Sequence, residues 1–239
     1  MEYIDIILEK LQKVQESQKS VMKKVGSLVG NVIKNQGIIY IFGCGHSHLI
    51  ALDCFYRAGG LVNVQPILDE KLMLHQSASY SSVLEKKEES VSGLLDEYNI
   101  TTNDILFVIS TSSKNGAPVQ MAIDGKSKGL TVVGLGSMEY YADKSKHSSE
   151  KKLFDVCDYF IDNCVPHGDA VCELSNKIKS APVSTILTSF IMQNVLLIAE
   201  KQAIKDGVTP DVFLSGNVDG GAEYNEKLIA KYKSRIKSL

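Results

Sequence analysis

Asp104-Ile-Leu-Phe-Val-Ile-Ser-Thr-Ser-Ser-Lys-Asn-Gly116 is the stretch on which the fold turns. Five consecutive apolar residues, Ile105 to Ile109, read as a buried strand. The run stops at once in Ser110, Thr111, Ser112, Ser113 and Asn115. Ala117-Pro118-Val119-Gln120 then reads as a helix start, because Pro suits a first turn where its missing N–H costs nothing. Hydroxyl residues at such a junction crowd around free backbone N–H groups at the positive end of the helix dipole. No Lys-Ser/Thr pair follows and glycines are too few for a nucleotide P-loop, so the loop suits a single phosphate. Ser, Thr and Asn also favour turns for local reasons. Alone, the stretch leaves a Ser-rich turn and a phosphate cradle equally open; a second loop tips the balance.

Outward from it, strands and helices alternate. Gly37 introduces the apolar run Ile38-Ile39-Tyr40-Ile41-Phe42, followed by Gly43-Cys44-Gly45-His46-Ser47 and a helix over 49–57 that ends at Gly59-Gly60. Further strands are expected at 61–67, 131–135 and 158–162, and helices at 91–98 and 118–128. Residues 69–90 read as a polar, irregular insert and 144–152 as a solvated loop. The N-terminal stripe Ile4, Ile7, Leu8, Leu11, Val14, Val21, Met22, Val25, Leu28, Val29, Val32 predicts one bent helix or two, with Gly26 and Gly30 as weak points. Residues 184–201 are apolar on nearly all sides, which predicts a helix buried in the core or a subunit interface. A basic amphipathic helix closes the chain beyond 227. This order implies a parallel sheet with helices on both faces. One domain over 1–239 is expected: N-terminal helices at 1–36, an α/β core at 37–206, and a C-terminal loop and helix at 207–239.

The 239 residues are 44% hydrophobic and 23% charged, values of an ordinary globular chain with ample length for a core. A formal charge of -2 gives no electrostatic case for nucleic acid or an anionic membrane. No apolar run reaches the ~18–20 residues of a membrane span, and the N-terminus does not read as a signal peptide. Five cysteines without C-x-x-C spacing read as reduced thiols of a cytoplasmic protein. Five scattered histidines lack metal-ligand spacing, so no metal is expected.

Gly43-Cys44-Gly45-His46-Ser47 departs from the dinucleotide fingerprint at His48, where a third Gly belongs. Asp69 ends the second strand where a ribose-binding acid would stand, which keeps a nicotinamide cofactor open; the reading taken is no cofactor. A Gly-x-Gly pair followed by Ser47 suits one phosphate or sugar hydroxyl better. Ligands of open α/β sheets bind beyond the carboxyl ends of the strands, where the two loops could converge.

Gly43-x-Gly45-x-Ser47 and Ser110-x-Ser112-Ser113-x-Asn115 resemble the paired motifs of the SIS (sugar isomerase) domain family, in its single-domain branch with phosphoheptose isomerase. The second family motif is usually S-x-S-G-x-T/S; here Ser113 takes the Gly position and Asn115 the last hydroxyl position. The resemblance implies a flavodoxin-like, doubly wound five-stranded sheet, a phosphorylated sugar as ligand, and a homodimer or homotetramer. It also implies that Ser47, Ser110, Ser112 and Asn115 hold the phosphate, with the Thr111 N–H. Gly45 lets the backbone approach, and His46 could donate to a phosphate or sugar oxygen. For aldose–ketose isomerisation the acid–base candidates are Glu70, after the second strand, His167, after the last strand, and Glu223, in the turn-rich 215–225 segment. His75 stands in the same insert as Glu70; His48 is expected to pack or cap, and His147 to face solvent. The late helix has Gln193 and Asn194 but no His, where phosphoheptose isomerases carry a catalytic one. The alternatives are therefore an amino-sugar-phosphate lyase of the etherase type and a non-catalytic sugar-phosphate sensor acting on a protein partner.

Overall fold

The computed structural model describes residues 2–239. Five parallel strands form its sheet: β1 (Ile39–Gly43), β2 (Val64–Ile67), β3 (Ile105–Ile109), β4 (Thr131–Gly136) and β5 (Tyr159–Asp162), in the order β2-β1-β3-β4-β5. Alternate residues serve opposite faces. Ile39, Ile41, Ile105, Phe107, Ile109, Val133 and Leu135 join one core; Ile38, Tyr40, Phe42, Leu106, Val108 and Val132 join the other. Both faces are covered, which is why the strands read as unbroken apolar runs rather than alternating ones.

The first core is roofed by α1 (Glu2–Lys34), α2 (His48–Cys54) and α6 (Ser184–Lys205). The other lies under α4 (Gly116–Ser127), α5 (Leu153–Val156) and α7 (Gly221–Tyr232). α1 runs unbroken through Gly26 and Gly30. Those glycines are not weak points but places where α6 comes close: a Cβ on Gly26 would lie 2.5 Å from Ile198 Cγ2, and one on Gly30 would lie 3.1 Å from Gln202 Cβ. The end of the chain clasps the foot of the sheet. Arg235 pairs with the buried Asp104 at 2.8 Å, while Gln65 accepts the Lys237 N–H at 2.6 Å.

Four local expectations need correction. The helix expected over 49–57 starts at His48 and stops at Cys54, because Phe55 turns extended and Tyr56 adopts a left-handed φ of 46°. Residues 69–90 are not irregular throughout: α3 (Leu74–Leu84) lies there, hidden in sequence by its serines and interrupted at the extended Ser77. Residues 91–98 hold one 3-10 turn, Leu94–Glu97, and the end of another, Glu88–Val91, rather than a helix, because Gly93 breaks the run at a φ of 74°. Between β5 and α6 a hairpin, β6 (Ala170–Ser175) with β7 (Ile178–Pro182), has no counterpart in the sequence reading.

Candidate functional site

Strand order reverses between β1 and β3. The chain leaves β1 toward β2 and leaves β3 toward β4, so a crevice opens where neither connection crosses. Gly43 pairs with Ile109 at the carboxyl ends of these two strands, so loops 43–47 and 110–115 start side by side.

Loop 43–47 folds back on its own strand. A Cβ on Gly43 would lie 2.6 Å from the Ser47 carbonyl, Gly45 has a φ of +54°, and the Ser47 N–H donates to the Cys44 carbonyl at 2.9 Å. His48 is buried with Nδ1 on the Gly45 carbonyl, the capping role expected of it. His46 stays exposed. Burial first, then Glu85 and Asp69, push the Cys44 thiol well above the usual range, which disfavours its thiolate.

Loop 110–115 is fastened through its carbonyls. Those of Thr111, Ser113 and Lys114 accept N–H groups of Ser137 (2.9 Å), Leu153 (2.8 Å) and Lys146 (2.8 Å). Ser113, at the position where the family motif has Gly, does adopt a left-handed φ of 57°. Its hydroxyl donates to the Ser110 carbonyl at 3.0 Å, which offsets part of the ~1–2 kcal/mol that this backbone costs an L residue. Gly136 leaves room for that turn, since a Cβ there would lie 2.2 Å from both Ser110 O and Ser113 Oγ.

With the carbonyls tied off, the donors are left over. Among the described residues nothing accepts from the N–H groups of Thr111, Ser112, Lys114 or Asn115, and the hydroxyls of Ser47, Thr111 and Ser112 have no partner. Ser110 Oγ and Asn115 Oδ1 are buried without one. Successive free N–H groups before a helix form a concavity for an anion. Asn115 is less available than the motif implies, because its Nδ2 donates to Glu85 at 2.9 Å.

His46, Ser47, Thr111 and three residues opening α6, Ser184, Thr185 and Thr188, line one narrow cleft of about 10 Å³, room for about one water. The α6 hydroxyls were missed in sequence, although their spacing on the first turns of a helix was visible. A carboxylate from before the hairpin holds that helix start: Asp169 accepts from the N–H of Val183 (2.9 Å) and Ser184 (2.8 Å). A much larger groove of about 510 Å³ lies elsewhere, lined by Glu88, Glu89, Asp96 and Asp124, carboxylates that would repel a phosphate.

The acid–base candidates do not line the cleft. Glu70 opens a 3-10 turn after β2, exposed, and accepts from Gln76 Nε2 at 3.1 Å. His75 is exposed in the first turn of α3, whose Leu74 packs toward Gly45. His167 stacks on Tyr140 and lies 3.3 Å from Asp143. Asp143 also binds Lys114 of the second loop, and Lys114, ahead of His167, holds its carboxyl below the usual range. Glu223 is exposed on the first turn of α7. No contact joins Glu70, His167 and Glu223 to one another. His147, expected in solvent, is instead buried. Its Nδ1 accepts the Ser149 N–H (3.0 Å), so Nε2 carries the proton toward Gln120 Oε1 (2.8 Å). On the late helix Gln193 is spent on Asp53, at 3.1 Å.

A flavodoxin-like sheet with two hydroxyl-rich loops at its switch point defines an α/β domain of the sugar-isomerase kind. The SIS domain profile matches residues 2–137. UPF0309 proteins of Listeria innocua and Caldanaerobacter subterraneus are each 41% identical, over 99% of this chain and 97% and 98% of theirs. The chain belongs to the SIS domain family. In structure it is similar to the phosphoheptose isomerases of Neisseria gonorrhoeae (TM-score 0.53, 14% identity, 86% of this chain and 96% of that one) and Francisella tularensis (0.52, 13%, 85% and 93%). At such identity the likeness is one of fold. Among the described residues no helix is long and apolar enough to cross a membrane.

Proposed function

We propose that the protein binds a phosphorylated sugar at the β1–β3 switch point and interconverts its aldose and ketose forms. One observation carries the reading: four N–H groups and the hydroxyls of Ser110, Thr111 and Ser112, none with a protein partner, lie at the N-terminus of a twelve-residue helix, beside the unpartnered Ser47 hydroxyl of the Gly43–Ser47 turn. A phosphate monoester supplies acceptors for all of them, and the dipole of α4 favours its charge. Ser47, Ser110, Ser112 and the Thr111 N–H are the phosphate ligands. Gly45 allows close approach, Asn115 offers its free oxygen to a donor on the ligand, and His46 faces the sugar.

Isomerisation moves a proton between adjacent carbons, and Glu70 is the preferred base, since its segment leads into the helix that packs on Gly45. His167, coupled through Asp143 to Lys114, and Glu223 are the remaining acid–base candidates. A sensor is the second reading, favoured by the late helix, where Gln193 is engaged by Asp53 and no His is present. Exposed Leu49, Leu52, Ile186 and Leu197 on α2 and α6 suit a second copy of the chain, and five free thiols suit the cytoplasm.

Thermal unfolding against sugar phosphates and their unphosphorylated parents tests the reading. Ligand at about a hundred times Kd stabilises by ~2.7 kcal/mol, a shift of several degrees. Shifts confined to the phosphorylated members and lost in Ser112→Ala are expected; shifts shared by the parents would sink the cradle. Loss of the C2 proton to D2O, followed by NMR, then separates enzyme from sensor.

A further inference from the structure

Backbone contacts gather three lysines around the N-terminus of α4. Lys114 lies inside loop 110–115, and Lys146 donates its N–H to the Lys114 carbonyl at 2.8 Å. The Lys86 carbonyl stands 2.6 Å from where a Cβ on Gly116 would sit, so glycine there lets segment 85–88 lie against the first turn of the helix. Three carboxylates share the region, each engaged by a group other than Lys86 or Lys146; Glu88 accepts from Ser148. Asp143 is taken by Lys114 and His167, and Glu85 by Asn115. Among the described residues Lys86 and Lys146 have no acidic group within ion-pair distance. Partial desolvation at an otherwise exposed position, then repulsion from Lys86 and Lys114, holds the Lys146 ammonium below its ordinary value, with Glu85 and Asp143 opposing. Ammonium groups gathered on one stretch of surface favour an anion among them.

We propose that the ligand of this site carries two anionic groups: its phosphate on loop 110–115 and a second anion, a carboxylate or another phosphate, held by Lys86 and Lys146. This rests on the phosphate-binding reading above. The two subsites recognise in different ways. Fixed N–H groups read the tetrahedral shape of a phosphate, whereas ammonium groups on flexible stems read charge. The monophosphate of an uncharged sugar, with no second anionic group, would leave the lysines unanswered. A phosphorylated sugar acid or a bisphosphate would fill both.

Isothermal titration at fixed pH and ionic strength tests this with inorganic phosphate, glucose 6-phosphate, 6-phosphogluconate and glucose 1,6-bisphosphate. The wild type should bind 6-phosphogluconate or glucose 1,6-bisphosphate, each with two anionic groups, about tenfold tighter than glucose 6-phosphate. That advantage should fall to about twofold or less in the Lys86→Met, Lys146→Met double variant, and shrink in about 1 M NaCl, where the Debye length is near 3 Å. Both lysines are exposed, so the double variant should keep the wild-type melting temperature. The acid and the bisphosphate separate carboxylate from phosphate as the second group. Equal affinity for all three sugar probes, or an advantage that survives the double substitution, overturns the inference and leaves the phosphate cradle standing. No binding by any probe, inorganic phosphate included, overturns the phosphate reading and this inference with it.

Discussion

Loop 43–47 holds its shape with its own atoms, whereas loop 110–115 is held by the connection that follows β4. In the first, Gly43, Gly45 and the His48 ring close the turn within six residues. In the second, the Thr111, Ser113 and Lys114 carbonyls are each bound by a residue at 137, 153 or 146. Both end as donor-rich surfaces at the same crevice. The difference is that one is a local motif and the other a supported one, so substitutions outside the second loop should damage it while sparing the first.

Gly136→Ala is the strongest way to break that contrast. The new Cβ would lie 2.2 Å from the Ser110 carbonyl, and backbone cannot yield as a side-chain end can. Overpacking of this kind costs about 1–3 kcal/mol. We expect the upper end, a fall in melting temperature of about 6–12 °C at roughly 2–4 °C per kcal/mol for a chain of this size. Phosphate-dependent stabilisation should vanish with it. An unchanged melting temperature with full ligand response would mean that β4 does not set the second loop.

Legibility in the sequence divided along the same line. Buried parallel strands announce themselves as apolar runs, so β1, β3 and β4 stood out, and the switch point with them. Gly43-x-Gly45-x-Ser47 was legible because its geometry is made by adjacent residues. His147 was not: within Lys-Ser-Lys-His-Ser it looks solvated, and only the fold brings Gln120 and Glu88 to its ring. The same holds for Lys86 and Lys146, ordinary surface lysines until α4 gathers them. α3 was missed for the opposite reason, since its serines carry no periodic apolar signal. Asn115 looked like a phosphate ligand on motif alone, and its bond to Glu85, thirty residues away, leaves it only its oxygen.

Ser113 sharpens the comparison with a smaller effect. Two terms oppose each other there: left-handed strain of ~1–2 kcal/mol for any L residue, and a hydroxyl bond worth ~0.5–1.5 kcal/mol. Ser113→Gly removes both and should change stability by less than about 0.5 kcal/mol, while Ser113→Ala keeps the strain, loses the bond and should cost about 1 kcal/mol. Urea unfolding of the two variants side by side isolates the hydroxyl. Equal losses in both would mean that backbone conformation is not under strain at this position.

Acid offers the gentlest probe, because the support of the second loop is partly ionic and that of the first is not. Asp143 holds Lys114 of the loop, and Glu88 accepts the N–H and hydroxyl of Ser148. Lys114 keeps the Asp143 carboxyl low, and the Ser148 hydrogen bonds keep Glu88 low. A carboxyl depressed in the folded state adds stability above its unfolded value, near 3.9 for Asp and 4.3 for Glu, and loses it as pH falls through the lower folded value. The wild type should therefore lose part of its stability below about pH 4. Asp143→Asn should be slightly less stable at pH 7 and should show a shallower fall on acidification. Hydrogen exchange at low pH locates the effect: the amides of Lys146 and Leu153, bonded to the loop carbonyls, should lose protection before that of Ser47. Protection lost first at Ser47 would reverse the assignment of which loop is self-supporting.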